Sequence, residues 1–133
     1  KWGTPGSESG LIKAAGIAID KNNNTVYITD SDRFVKKFTK DGVFIKKWGL
    51  KADNWSYIFN TPLGIDVDSA GNVYVTDYNA HKIFKFTSDG EFLWELGKLG
   101  SGNGEFNYPA DIEIVGDAIY VADGINYRVQ KFR

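Results

Sequence analysis

The sequence predicts an all-β fold made of a repeated unit. The segment at 64–77, Gly-Ile-Asp-Val-Asp-Ser-Ala-Gly-Asn-Val-Tyr-Val-Thr-Asp, has related copies on either side, at 16–30 and 111–123. The aspartates that close the copies, Asp30, Asp77 and Asp123, stand 47 and 46 residues apart. Runs of β-branched and aromatic residues alternate with Gly, Asn and Asp clusters, and no segment keeps a helical period. A fixed period of this size is typical of repeat architectures, in which one unit cannot bury its apolar side alone.

The middle copy predicts four strands, at 64–68, 73–76, 82–87 and 91–96. A turn at 69–72 joins the first two strands, and Gly71 gives that turn its backbone freedom. A tight hairpin turn at 88–90, with an Asp-Gly pair, joins the last two. The first copy repeats this plan with turns at 22–24 and 40–42, and the third copy runs through three strands.

Four short antiparallel strands per repeat build one blade of a β-propeller. We therefore predict a propeller segment over 1–133, with repeats at about 11–49, 59–97 and 106–133. Residues 1–3 match residues 47–49 and are expected to be the tail of a preceding blade. Three blades cannot close a ring, since propellers have about 4–8. Either further blades of a longer chain or self-association is expected to complete a ring, most simply one of six blades.

The repeat resembles the NHL repeat over essentially the whole chain. The resemblance rests on the segments 62–68, 71–77 and 81–86, on the linker 100–109, and on Asn79, Asp89, Gly90 and Gly97. It implies a six-bladed propeller that acts as a binding platform for protein, RNA or small ligands. The fold is also similar to that of some enzymes, including a metal-dependent lyase that finishes peptide amidation. The first copy departs, because 30–34 is one residue shorter than 77–82, which puts Phe34 where Lys82 and Arg128 stand.

Composition narrows the classes of function. With 16 basic and 17 acidic residues and a net charge of −1, the chain gives no support to nucleic-acid binding through phosphates. Most of a local basic run, which includes Lys36 and Lys37, is expected on solvated strand faces. The chain has no cysteine and no apolar run near about 18 residues, so neither thiolate chemistry nor a membrane span is predicted. The many aromatic, Asn and Gly residues favour a secreted or cell-surface location only slightly.

Two acids on the predicted inner strands are candidate ligands for a metal ion. Asp66 and Glu113 share one repeat phase with Ala18, and the innermost strand of a blade borders the central channel. Carboxylate oxygens suit a hard cation, so a calcium ion in the channel is one hypothesis. The competing interpretation is that both acids face channel water or pair with a neighbouring base. His81, the only histidine, is expected to be a surface loop residue, and a zinc site would need more imidazoles.

The loops offer candidate recognition groups. Trp55 and Tyr57 lie in the connection between the first two repeats and have no counterpart in phase. Tyr78 and Asn79 follow the second strand of the middle copy, on the rim where the connections between blades are expected. Packing against an adjacent blade is the alternative for these aromatic residues. Phe59 and Phe106, with Leu11 in phase, are predicted as loop core.

The recurrent aspartates have a simpler interpretation. Asp30, Asp77 and Asp123 are predicted to pair with the base that opens the third strand, Lys82 or Arg128, or with the displaced Arg33. Their presence in every copy favours a structural role over a ring of ligand-binding acids.

These observations favour a non-catalytic binding or scaffold module that recognises a protein, a peptide or a small ligand. An enzyme, either a metal-dependent lyase or a hydrolase, is the alternative, and RNA binding is a weaker third hypothesis.

Overall fold

The computed structural model describes residue 2 and residues 13–133, and it consists of three antiparallel sheets. Each sheet follows chain order from its inner strand outwards, so each is a meander whose neighbours are joined by tight turns. The first has strands β1 (Ala14–Asp20), β2 (Thr25–Asp30), β3 (Phe34–Thr39) and β4 (Phe44–Trp48). The second has β5 (Pro62–Val67), β6 (Val73–Asp77), β7 (Lys82–Phe86) and β8 (Phe92–Leu96). The third has β9 (Pro109–Val115), β10 (Ala118–Asp123) and β11 (Arg128–Phe132). The predicted all-β fold of propeller blades is confirmed, and the sheets are called blades 1, 2 and 3 below.

The core lies between the blades. One cluster joins blade 1 to blade 2, with Tyr27 and Val35 packed against Val73 and Phe86, all fully buried. A second cluster joins blade 2 to blade 3, through Ile83, Ile112, Val121 and their neighbours. The predicted loop-core residues Phe59 and Phe106 are buried in these clusters, at 2% and 0% exposure. At both interfaces the apolar side of one blade is therefore covered by the next blade.

Glycine on the inner strand lets adjacent blades approach closely. A Cβ added to Gly64 would lie 2.7 Å from the carbonyl oxygen of Ala110 in blade 3. Gly16 meets the carbonyl of Leu63 in blade 2 in the same way. Any side chain at these positions would push the neighbouring inner strand outward.

The loops between the second and third strands keep one geometry despite their different lengths. Asp30 pairs with Phe34, just as Asp77 pairs with Lys82 and Asp123 with Arg128, so the predicted one-residue shift is confirmed. The residue before the third strand is left-handed in every blade: φ is 71° at Arg33, 57° at His81 and 53° at Tyr127. The loop of blade 1 is therefore one residue shorter at a point that precedes this left-handed position.

Tryptophans anchor the ends of the outer strands on the following blade. The Trp48 ring lies against Gly90 of blade 2 and 5.9 Å from the Phe86 ring, centroid to centroid. Trp2 contacts Gly42 of blade 1 in the same manner, with its ring 4.9 Å from Phe38. The assignment of residues 1–3 to the tail of a preceding blade stays a prediction. Three residues with predicted roles lie outside the described residues: Lys1 and Gly3 of the predicted tail, and Leu11 of the predicted loop core.

Lys36 is an exception to the expectation that most of the basic run lies on solvated strand faces. Lys36 is 1% exposed, and its Nζ lies 3.1 Å from Asp30 and 2.7 Å from Asp32. Desolvation alone would lower the pKa of Lys36, but hydrogen bonds to Asp32 and Asp30 outweigh it and raise the pKa above 10.5. Since Phe84 holds the same phase in blade 2, the repeat pattern predicts burial here, whereas the charge of lysine alone suggests exposure.

Among the described residues, no helix is long and apolar enough to cross a membrane.

Candidate functional site

The strand order separates two faces of the arc of blades. One face carries the hairpin turns at 20–25, 67–73 and 115–118, and is called the hairpin face. The other, the connection face, carries the inter-blade connections 49–61 and 97–108 and the loops 31–33, 78–81 and 124–127. As predicted, the long connections and the loops after the second strands share one rim. All four candidate recognition residues lie on the connection face.

Buried aspartates fix the loops of this face. Asp77 is fully buried and accepts hydrogen bonds from the backbone N–H groups of Asn60 (2.7 Å), Thr61 (2.8 Å) and Ala80 (3.1 Å). Two of those donors belong to the connection that enters blade 2 and the third to the loop after β6. One carboxylate therefore ties together the two loop segments that carry Tyr78, Asn79 and the end of the connection.

Asp123 has the same role in blade 3. It accepts from Asn107 N (2.7 Å) and from Arg128 Nε (2.9 Å), which confirms the predicted ion pair in this blade. Burial raises the pKa of this carboxyl, but hydrogen bonds from Asn107, Asn126 and Arg128 outweigh it, so the pKa lies below its ordinary value.

The ion pairs of the other two blades differ from the prediction. Lys82 pairs with Glu95 at 3.2 Å, and Asp30 pairs with Lys36 at 3.1 Å, while the Arg33 guanidinium lies 5.1 Å from the centroid of the Tyr57 ring. Asp30 and Asp123 therefore pair with different bases, whereas Asp77 accepts from backbone N–H groups.

Trp55 stands at the tip of the first connection and is 86% exposed. The Asp53 carboxylate accepts hydrogen bonds from Trp55 N and Ser56 N, both at 2.9 Å, and from Ser56 Oγ at 2.7 Å. These bonds lower the pKa of Asp53 to about 2. Asn54 occupies the left-handed region at φ 60°, which closes the turn. The backbone of Trp55 is thus fixed while its indole faces solvent.

Tyr57 is 43% exposed and is held against blade 1. Its ring meets Phe34 edge to face at 6.0 Å and carries the Arg33 guanidinium on its face. The predicted alternative, packing against an adjacent blade, therefore accounts for part of the Tyr57 surface and for little of the Trp55 surface.

Tyr78 and Asn79 lie at the boundary between blades 2 and 3. The Tyr78 ring is 4.8 Å from that of Tyr108, and Asn79 Nδ2 donates to Thr61 Oγ1 at 2.7 Å. Tyr108 also stacks edge to face on His81 at 4.6 Å, and its backbone N–H donates to His81 Nδ1 at 3.1 Å. His81 is thus a half-buried link between two blades rather than the predicted surface residue.

Sequence reasoning missed two aromatic residues of this face. Tyr108 has φ 58° directly before Pro109, and Tyr127 is 91% exposed with φ 53°. The phase of Tyr127, shared with Arg33 and His81, was the available signal for its place in a loop.

An apolar groove of about 510 Å³ adjoins the connection face. Its apolar lining comes from Leu50, Ile58, Phe84 and Phe92, and its polar lining from Lys51, Lys82 and Glu95. Leu50 and Ile58 flank the turn that presents Trp55, so one connection supplies both the groove wall and the exposed indole.

Asp66 and Glu113 lie on the other side of the arc, in a cleft of about 310 Å³ at the hairpin face that Asp20, Lys21 and Asp68 also line. Asp66 Oδ2 accepts from Ile114 N of blade 3 at 2.6 Å, and Oδ1 accepts from Val67 N at 2.8 Å. Both oxygens of Asp66 therefore already hold backbone donors, whereas Glu113 is exposed.

A calcium ion needs about 6–8 oxygen ligands. Across residue 2 and 13–133, no group of three or more His, Cys, Asp or Glu side chains is arranged to hold a metal ion. Metal binding by Asp66 and Glu113 therefore stays a prediction.

Comparisons with known proteins agree with this architecture. A family model of the NHL repeat matches residues 59–86. Human NHL repeat-containing protein 3 is 31% identical over 125 residues, which cover 81% of this chain and 34% of that protein. Mouse peptidyl-glycine alpha-amidating monooxygenase is 27% identical over 148 residues, covering 90% of this chain and 15% of that protein.

A solved structure from Bacteroides thetaiotaomicron, described as a protein of unknown function, superposes with a TM-score of 0.67 at 25% identity. The match covers 89% of this chain and 32% of that one. The three sheets are therefore blades of a β-propeller. The predicted resemblance is confirmed as well: residues 59–86 match the NHL repeat. The chain spans about a third or less of each of these relatives.

Proposed function

We propose that the chain is a binding module whose connection face recognises a peptide segment of a protein partner. The observation that carries this proposal is Trp55, which is 86% exposed on a turn fixed by three hydrogen bonds that the Asp53 carboxylate accepts. A large aromatic side chain that is held in solvent by a rigid backbone loses little entropy when a partner covers it. Such residues dominate the binding energy of many interfaces.

The surroundings of Trp55 favour a peptide over a small ligand. The lining of the adjoining groove joins two elements, the connection at Leu50 and the outer strand at Phe92. Its apolar floor suits an aliphatic or aromatic side chain, and Lys51, Lys82 and Glu95 can bond a peptide backbone. Tyr57, Tyr78 and Asn79 extend the same face with aromatic and amide groups.

The proposal is tested by selecting peptides from a displayed random library on the wild-type chain and then measuring their affinity for variants. Trp55→Ala should weaken a selected peptide by at least about tenfold, since central aromatic residues contribute roughly 2 kcal/mol or more. Trp55→Phe should retain part of that affinity. Val43→Ala, which alters a 63% exposed side chain at a hairpin turn of blade 1, is the matched control and should bind like wild type.

A second variant separates the groove from the indole. Ala52→Trp fills the groove and leaves Trp55 in place, so it should weaken peptides that carry an apolar anchor. Thermal unfolding of all variants should match wild type, because each altered residue is exposed. Selected peptides that bind Trp55→Ala and Ala52→Trp as tightly as wild type would refute the proposed surface.

An enzymatic function is the second candidate, and the similarity to the mouse amidating monooxygenase favours it. It would need metal ligands that the described residues do not bring together. Metal analysis of the chain after dialysis against calcium or zinc is the test. A stoichiometric ion that is lost in Asp66→Asn or Glu113→Gln would favour the enzyme, and its absence would leave the binding module.

A further inference from the structure

Adjacent blades meet through a repeated glycine–threonine pair on the inner side. In blade 1, Gly16 N donates to Thr29 Oγ1 at 2.9 Å, and the same hydroxyl donates to the Leu63 carbonyl of blade 2 at 2.7 Å. The glycine leaves room for that carbonyl, and the threonine satisfies it. Each glycine–threonine pair thus makes room for one backbone carbonyl of the next blade and donates a hydrogen bond to it.

Blade 2 repeats this arrangement toward blade 3. Gly64 N donates to Thr76 Oγ1 at 2.8 Å, and Thr76 Oγ1 donates to the Ala110 carbonyl at 3.1 Å.

Blade 3 breaks the pattern at both positions. By repeat phase, Asp111 stands where the first two blades have glycine, and Ala122 stands where they have threonine. The second change removes the hydroxyl donor, and the first adds a Cβ and a carboxylate where the carbonyl would come. Asp111 is exposed, and its Oδ1 accepts only from Ile112 N at 2.9 Å among its bonds within the described residues. The side of blade 3 that faces away from blade 2 therefore has no room and no hydroxyl donor for a backbone carbonyl, and it carries a negative charge.

The rest of that side remains a blade interface. Asp111, Glu113, Tyr120, Ala122 and Val129 line a shallow cavity of about 160 Å³ and are called the trailing face. Val129 is 67% exposed, whereas Ile83, its equivalent in blade 2, is fully buried against blade 3. Apolar side chains thus line one cavity together with two carboxylates, a combination that suits an interface with complementary charge.

We propose that the trailing face binds a further propeller blade whose inner strand presents a lysine or arginine to Asp111 and Glu113. The first blade of a second copy does not fit. Ile17 is the equivalent of Ile65, whose Cγ2 lies 3.2 Å from a Cβ placed on Gly16. In a head-to-tail pair of copies, Ile17 and the Ala15 carbonyl would meet the Asp111 carboxylate, which would lose water without gaining a donor.

The test is sedimentation velocity of the full chain and of designed variants. Wild type should not self-associate head to tail. Ile17→Lys gives the first blade the basic group that the trailing face requires, so it should self-associate at least about tenfold more tightly than wild type. Raising the salt concentration should weaken that association, and adding Asp111→Asn should abolish it.

Two further variants make the result specific. Ile45→Lys, on the outer strand of blade 1, has the same charge change at an exposed isoleucine and should behave like wild type. Asp111→Gly with Ala122→Thr restores the pair of blades 1 and 2, and it should also promote association with a second copy. Circular dichroism should show the wild-type strand signal in every variant, because all altered residues except Ala122 are exposed.

The dependence of association on Asp111 decides between the outcomes. Association of Ile17→Lys that depends on Asp111 supports the proposal. The proposal is overturned if wild type already forms a closed dimer, if Ile17→Lys gains nothing, or if Ile45→Lys gains as much.

Discussion

Replacing Asp77 should cost more stability than replacing any exposed acid, because one buried carboxylate closes the connection face of blade 2. Asp77 is 0% exposed and accepts three backbone hydrogen bonds, at 2.7, 2.8 and 3.1 Å. Hydrogen bonds to a charged group contribute about 1.5–3 kcal/mol each, but three bonds to one group are not additive. We therefore expect Asp77→Ala to lower the free energy of unfolding by about 3–4 kcal/mol.

Asp77→Asn, which keeps the shape of the side chain, should destabilise the chain less than Asp77→Ala. Oδ1 of Asp77 serves Thr61 N and Ala80 N, and Oδ2 serves Asn60 N. Asp77→Asn can keep the first oxygen but turns an amide donor toward Asn60 N, so its cost should be about 1–2 kcal/mol. The assay is urea unfolding followed by intrinsic fluorescence, with Asp89→Asn as a control because Asp89 is exposed on a hairpin turn. A loss of less than about 0.5 kcal/mol in both Asp77 variants would refute the reasoning.

Two further predictions concern the blade interface and acid stability. Gly64→Ala should lower the free energy of unfolding by about 2 kcal/mol or more, because its Cβ would lie 2.7 Å from the carbonyl oxygen of Ala110. Gly104→Ala is the control: its Cβ would meet open space, so only the left-handed backbone (φ 75°) should be unfavourable, at about 1 kcal/mol. Urea unfolding measures both. The pKa values of Asp68 and Asp123 lie below 3.8 in the folded chain, so the stability that these carboxylates provide is complete above about pH 4 and is lost as the pH falls through their folded values. Melting temperatures from pH 7 to pH 2 should show this decline, with a shallower acid slope in Asp123→Asn; an unchanged slope would contradict the assignment.

Repeat phase predicts most of the fold, because each blade solves the same packing problem with the same residue types. It locates the strands and places Phe34 opposite Asp30 despite the shorter loop. It also identifies Phe59 and Phe106 as core from two loops that have little else in common.

Contacts between blades are where sequence reasoning fails. The bond from Ile114 N to Asp66 joins residues 48 apart, and nothing in either strand alone indicates it. Repeat phase predicts the burial of Lys36, but its ion pairs with Asp30 and Asp32 depend on side-chain geometry that phase does not give. His81 likewise becomes a link only when Tyr108 of the next blade is in place.

The sequence predicts the exposed aromatic residues of the candidate site but not all of the contacts that hold them. Trp55 and Tyr57 stand out as departures from the repeat, and the structure shows Trp55 in solvent on the connection face. Their partners, Asp53 for Trp55 and Arg33 for Tyr57, follow from a local turn and from the packing of blade 1, and only the first of these is readable from neighbouring residues.

Hydrogen–deuterium exchange of the chain with and without a library-selected peptide tests the proposed binding face most directly. The amides of 53–57 and 78–81 should gain protection on binding, while the hairpin turns at 20–25 and 69–72 should exchange as before. Protection confined to those turns and to the inner strands around Asp66 and Glu113 would instead place the ligand at the opposite end of the blades and contradict the account.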